Sequence, residues 1–182
     1  MTKITRWLLA GAVILAVLGA VHVGVHAAQR PRVSPRATVE AEIDGTKITI
    51  EYGRPFKRER LIWGGLVPWD RWWMPGADES SSITTTAPIV FAEKLTMPAG
   101  VHTIYALPGE DAFLLIINKQ TGQFHTVYRP DQDLGRVPMT KEPRAEPAEQ
   151  LTFAVEPRDG GGGRFLLLWD DRAYVVPFVV KK

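Results

Sequence analysis

The chain has 182 residues, a formal net charge of +2 at pH 7 and no cysteine. This length predicts one folded domain behind any targeting segment, and the lack of cysteine excludes both disulfides and a lipid anchor on an N-terminal cysteine. Lys3 and Arg6 account for the positive excess, because the rest of the chain holds 20 basic and 20 acidic residues. This balance argues against nucleic acid or an anionic membrane surface as a partner.

The N-terminus has the organisation of a secretory signal peptide. Lys3 and Arg6 precede an apolar run at residues 7–21, and Val25 and Ala27 have the small-x-small spacing of a signal peptidase site. The sequence therefore predicts an exported protein, either periplasmic or secreted.

Three segments follow from this organisation. Residues 1–27 are predicted as the signal peptide, residues 28–37 as an extended lead-in and residues 38–182 as one folded domain. The alternative for the first segment is an uncleaved membrane anchor, because residues 7–28 approach the ~20 residues that span a bilayer. In that case the membrane would be a partner only through this N-terminal segment.

Hydrophobic patterning after residue 38 predicts short β-strands. Residues 38–43 and 47–52 alternate apolar and polar side chains around Asp44-Gly45, a pair that favours a hairpin because both residues tolerate positive φ. The further predicted strands, in chain order, are residues 83–86, 89–91, 95–97, 101–107, 112–118, 136–140, 150–156, 164–169 and 172–180.

Two breaks are predicted among the later strands. Residues 142–149 hold Pro143 and Pro147 among charged residues and are predicted as a loop, and Asp170-Asp171 is predicted as a turn. These eleven segments are expected to form about nine or ten short strands, and with no amphipathic helix they indicate an all-β fold. The expected form is an antiparallel β-sandwich, jelly-roll-like or a flattened barrel.

Several stretches occur in the order typical of one bacterial family. SPRATVEAEIDGTKITIEYGRP, GGLVPW and W-x-x-GADE come first, and MPAGVHTIYALPGE, IINKQTGQF, DLGRVPM and GGGGRFLLLWDDRAYVVPF follow. With these motifs, residues 34–178 resemble the domain of unknown function 2911 family. The resemblance implies an exported all-β domain of bacterial envelopes and no established activity.

Three departures from the family pattern bear on a possible ligand. Family members usually carry W-R-T-G-A-N where this chain has Trp73 to Asp78, so Met74 replaces the Arg and Asp78 replaces the Asn. His102 stands where the family usually has an aromatic residue. If the family's Arg and Asn contact a ligand, the resemblance does not carry that ligand over to this chain.

The aromatic segment, residues 52–79, is the strongest functional candidate in the sequence. It holds four of the six tryptophans, among them Trp72 and Trp73. Aromatic faces beside charged groups suit stacking on a sugar ring or an apolar ligand, and binding residues concentrate on irregular backbone. The predicted ligand-binding residues are Tyr52, Arg54, Trp69, Trp73 and Asp78.

The alternative is that these tryptophans pack as core at the open end of a sandwich. Trp72 and Trp73 point in opposite directions on extended backbone, so at most one of the two is expected to line a groove.

Catalytic motifs are weak. There is no Cys nucleophile and no G-x-S-x-G sequence. A metal site would combine His102 with Asp78 and Glu79, but no H-x-H or H-x-x-x-H spacing forms a chelate in advance. The cofactor prediction is therefore none, with a divalent metal as the alternative.

The function predicted from the sequence is non-catalytic binding of a small molecule, a glycan or an envelope protein. One alternative is a metal-assisted hydrolase that uses His102 with Asp78 or Glu79. A second is a structural domain that binds a protein partner at an exposed strand edge.

Overall fold

The computed structural model describes residues 32–181, and the predicted signal peptide lies outside this range. The described part holds nine β-strands, one short 3-10 turn at Pro130–Gln132 and no α-helix. The strands are β1 (Arg36–Ile43), β2 (Thr46–Gly53), β3 (Ser82–Thr85), β4 (Ile89–Phe91), β5 (Leu95–Met97), β6 (Gly100–Pro108), β7 (Phe113–Asn118), β8 (Asp133–Pro157) and β9 (Gly163–Val180). Between residues 32 and 181 there is thus no helix with the length and apolar character needed to cross a membrane.

All neighbouring strands are antiparallel and form one sheet in the order β1-β2-β3-β6-β7-β8-β9-β4-β5. The all-β prediction is confirmed. The predicted hairpin is also present, because Asp44 and Gly45 both have positive φ, 50° and 78°, and Ile43 pairs with Thr46 across the turn. This conformation suits a right-twisted two-residue turn.

The two longest strands differ from their prediction. β8 continues through residues 142–149, so the predicted loop was wrong, and β9 continues through Asp170-Asp171, so the predicted turn was wrong. Shifts of register between Pro143 and Ala148 and again between Ala148 and Thr152 accommodate the prolines as an irregularity within the pairing of β8 and β9. A bulge of this kind lets a strand bend without ending.

The sheet curves so that its two ends share one core. On β2 the Tyr52 ring packs edge-on against Phe153 of β8, with ring centroids 4.8 Å apart. At the hairpin, Asp44 Oδ2 accepts a hydrogen bond from the Gly162 amide at 2.7 Å. The alternating side chains of β2, Ile48 and Ile50, are fully buried in this core together with residues of β4, β8 and β9.

β6 and β7 are buried on both faces. Ile104 and Ile117 face the main core, whereas Tyr105 and Ile116 belong to a second, smaller apolar cluster with Met74. The cover of that second face comes from the aromatic segment, which runs between β2 and β3. The same segment also contributes Trp63 and Val67 to the main core, so its side chains reach both apolar clusters.

Candidate functional site

The aromatic segment is irregular but firmly attached to β6. The Trp73 and Ala106 backbones exchange two hydrogen bonds of 2.8 Å, and the Asp70 amide donates to the Pro108 carbonyl at 2.7 Å. Farther along, the Ser81 hydroxyl donates to the Pro75 carbonyl at 2.6 Å. These bonds satisfy backbone groups that no regular strand would pair, so the side chains of the segment have defined positions.

Four indole rings, three from the aromatic segment and one from β9, form a continuous row. Trp69 stacks on Trp63 at 6.4 Å between centroids, Trp63 meets Trp73 edge-on at 6.2 Å, and Trp73 stacks on Trp169 of β9 at 6.1 Å. Trp63 and Trp169 are 6% and 1% exposed. The core interpretation is therefore correct for the inner part of this row, and Trp73 stands at its border.

A groove of about 460 Å³ opens beside Trp73 and Trp169. Its volume lies within the roughly 300–1,000 Å³ typical of ligand pockets. The side chains that form most of its wall are Phe56, Arg58, Arg60, Leu66, Trp73, His125 and Trp169. The wall is thus aromatic and aliphatic, with two arginines and one histidine and, among the described residues, no carboxylate.

The two arginines of the groove have different surroundings. Arg60 donates from its guanidinium to the carbonyls of Lys57 and Phe56, so its position is fixed. Arg58 lies over the Phe56 ring, 6.0 Å from the centroid, and its guanidinium makes no ion pair within residues 32–181. Its backbone amide, by contrast, donates a hydrogen bond to Glu149 Oε1 at 3.0 Å. The Arg58 charge is therefore available to a ligand.

His125 has one ring nitrogen committed and one available. Its Nδ1 lies 2.9 Å from the Asp78 carbonyl oxygen, and its backbone amide donates to the same oxygen at 3.1 Å. Because a carbonyl oxygen only accepts, Nδ1 carries the proton and Nε2 is left to accept or, when protonated, to donate.

A second depression of about 350 Å³ adjoins the groove. It is bordered by Arg71, Trp72 and Met74, and it shares Trp73 and His125 with the groove. Its lining contains no carboxylate either. The prediction that only one of the neighbouring tryptophans lines a concave surface holds for the groove, which Trp73 alone borders, but both tryptophans border the second depression.

Two of the predicted binding residues support the core. The Tyr52 ring is 1% exposed, and its oxygen accepts a hydrogen bond from the Phe153 amide at 3.2 Å. Burial raises the pKa of Tyr52. Arg54 donates to the Leu151 carbonyl at 3.1 Å and to Thr152 Oγ1 at 2.9 Å, which attaches the end of β2 to β8.

The other three predicted residues are divided. Trp69 packs against Trp63, with the Arg172 guanidinium 5.0 Å from its ring centroid. Asp78 contributes its carbonyl, which holds His125. Neither of the two lines the groove, and only Trp73 does.

The predicted metal residues do not form one cluster. His102 lies buried on β6 opposite Ile83 of β3, and burial lowers its pKa. The Glu79 carboxylate is held by Arg32 at 2.7 Å and by Arg36 at 3.6 Å, and the Arg32 bond lowers its pKa. Residues 32–181 contain no group of three or more His, Asp or Glu side chains able to hold a metal ion.

Sequence reasoning missed most of the groove. Phe56 and Arg58 both lie in FKRER, the basic run that follows β2. An aromatic residue among basic ones was the sequence feature that could have indicated these two groove residues. His125 and Trp169 come from distant parts of the chain, and no local pattern marks either as a groove residue.

The whole described sheet corresponds to one protein family. Residues 34–178 match the model of a family described as a protein of unknown function, DUF2911. The chain belongs to this family. Neither the curated proteins nor the solved structures contain a match to the chain. The resemblance drawn from the motifs is confirmed, and the membership carries no assigned activity.

Met74, which stands where DUF2911 proteins usually have an arginine, is a buried residue in this structure. Its side chain is buried in the second apolar cluster, and its sulfur accepts from the Ser81 amide at 3.4 Å. Met74 also borders the second depression, so a longer basic side chain at this position would change the charge of that surface.

Proposed function

We propose that this protein is an exported, non-catalytic binding protein whose ligand, a glycan or another ring compound, occupies the groove beside Trp73 and Trp169. The supporting observation is the groove itself, a concave surface with stacked indoles in its wall and a free guanidinium at Arg58. Aromatic faces with a few polar groups are the usual composition of sites that bind sugars and other ring compounds.

Binding is tested with protein produced from the full chain and a panel of neutral and acidic oligosaccharides. We expect at least one of them to saturate a change in tryptophan fluorescence and to raise the melting temperature, because a ligand that binds only the folded state stabilises it. Calorimetry gives the stoichiometry, which should be one ligand per chain.

Two exposed leucines of the same loop supply a matched pair of variants. Leu66 is 45% exposed and lines the groove, whereas Leu61 is 71% exposed and does not. Leu66→Glu should weaken binding by about tenfold or more, and Leu61→Glu should leave it unchanged. Full binding by Leu66→Glu, or no response to any saccharide, would overturn the groove as the binding site.

Export is tested separately by cell fractionation and mass spectrometry. The expected product lies in the periplasm or medium and begins at residue 28 or 29. An intact N-terminus in the membrane fraction would instead support the anchor, and an intact chain in the cytoplasm would contradict export.

A further inference from the structure

The groove and the second depression form one elongated surface. Both are bordered by Trp73 and His125, so these two side chains form a ridge with about 460 Å³ on one side and about 350 Å³ on the other. A single sugar ring stacked at the ridge would leave most of this surface empty. A linear ligand would occupy both sides.

Each of the two depressions has an arginine in its lining. Arg58 lies in the groove, and Arg71 borders the second depression, where its side chain is exposed and makes no hydrogen bond or ion pair within the described residues. Some arginines elsewhere face acids, as Arg136 faces Asp133 at 2.9 Å and Arg164 faces Glu142 at 2.8 Å. Neither depression has an aspartate or glutamate in its lining.

The charge and the rings together specify a chemical class. A planar guanidinium matches a carboxylate with two parallel hydrogen bonds, and aromatic faces suit the apolar side of a pyranose ring. His125 borders both depressions, and its Nε2 makes no hydrogen bond within residues 32–181, so it is free to bond a ring hydroxyl or a carboxylate.

We propose that the ligand is an acidic glycan chain of at least two sugar units, which crosses the ridge of Trp73 and His125 and places carboxylates at Arg58 and Arg71. This inference rests on the proposed binding function and names its ligand class. Arg58 and Arg71 border different depressions, so a single ligand that bonds both must carry a negative charge on more than one of its sugar units.

The test uses calorimetry on the full-chain product with digalacturonate, tetragalacturonate, neutral cellotetraose and inorganic polyphosphate. We expect tetragalacturonate to bind more tightly than digalacturonate, and cellotetraose to bind about tenfold more weakly or worse, because it lacks the carboxylates. Arg58→Gln and Arg71→Gln should each weaken tetragalacturonate about tenfold.

Arg129→Gln is the matched control, since Arg129 is exposed, makes no ion pair and lines neither depression. Its binding should equal that of the wild type. An equal loss in this control would reduce the effect to general charge attraction and overturn the inference.

The remaining outcomes separate the inference from the function on which it rests. Equal affinity for cellotetraose and tetragalacturonate would overturn the acidic class and keep the binding function. Tighter binding of polyphosphate than of tetragalacturonate would overturn the proposal that the ligand is a glycan. No binding of any of the four would count against both proposals.

Discussion

Two regions of the molecule combine aromatic rings with an arginine, and they differ in what the arginine meets. In the groove, the Arg58 guanidinium lies over Phe56 and makes no ion pair within residues 32–181. In the tyrosine cluster, which we define as Trp72, Tyr105, Tyr128, Asp133 and Arg136, the guanidinium donates to Asp133 Oδ2 at 2.9 Å, and the Tyr128 hydroxyl donates to the same oxygen at 2.7 Å.

The difference shows that composition alone does not mark a binding surface. The tyrosine cluster has rings as closely packed as the groove, with Tyr105 and Tyr128 centroids 4.7 Å apart. Its charges, however, are satisfied within the protein, so it stabilises the cover of β6 and β7. A charge left unpaired beside a concave surface is what distinguishes the groove.

The largest expected effect comes from the indole row behind the groove. Trp63→Ala should lower the free energy of unfolding by about 3–5 kcal/mol, because Trp63 is buried against Trp69, Trp73 and Tyr174. Urea denaturation measures the loss, and Trp72→Ala, a change at a 40% exposed ring, should cost less than half as much. Equal losses would show that the two sides of the segment do not differ in burial.

The next effect tests the paired charges of the tyrosine cluster. Asp133→Ala removes the carboxylate that accepts hydrogen bonds from Tyr128, from Arg136 and from the side-chain Nδ2 of Asn118, the last at 2.8 Å. The free energy of unfolding should fall by about 2 kcal/mol. Asp131→Ala is the control, since this exposed carboxylate bonds only its neighbour Gln132, and its loss should stay within about 0.5 kcal/mol.

The tyrosine cluster also predicts a dependence on alkaline pH. Burial, together with the hydrogen bond to Asp133 and its charge, raises the pKa of Tyr128 to about 12. The folded protein therefore holds this proton more tightly than the unfolded chain. The protonated Tyr128 hydroxyl contributes fully to the free energy of unfolding below about pH 10, and this contribution is lost as pH rises through about 12. Denaturation of the wild type and of Tyr128→Phe across this range measures it, and parallel pH profiles would contradict the assignment.

The smallest effect separates the two arginines. Arg136→Gln should lower the free energy of unfolding by about 1 kcal/mol, whereas Arg58→Gln should change it by less than about 0.5 kcal/mol, because only the first breaks an ion pair. Side-by-side urea midpoints provide the comparison. A loss at Arg58 equal to that at Arg136 would mean that its charge serves the fold.

The fold class was predictable because its signals are local. The Asp44-Gly45 turn and the alternation along β2 depend on neighbouring residues, and both appear where expected. The continuity of β8 was not predictable in the same way. Pro143 and Pro147 are strand breakers by propensity, and only the pairing with β9 allows a bulge to absorb them.

The site was predictable only in part, for a related reason. Trp73 belongs to a tryptophan-rich segment that the sequence marks by itself. Trp169 and His125 reach the groove from β9 and from the segment after β7, and such meetings depend on the path of the sheet. Arg54 was chosen for its position beside the aromatic residues, yet the backbone at that point turns its guanidinium toward β8.

β8 takes part in two different ladders. Its first residues, as far as Met139, pair with β7, and from Thr140 onward it pairs with β9. A strand that serves two ladders couples them kinetically, because neither is complete until that strand is in place. Both ladders join strands that are neighbours in the chain, because only residues 119–132 separate β7 from β8 and only residues 158–162 separate β8 from β9, so each can begin by closing a short loop. The groove draws its walls from residues far before these ladders, such as Phe56, and from Trp169 within β9, so it should be complete only after this long-range contact has formed.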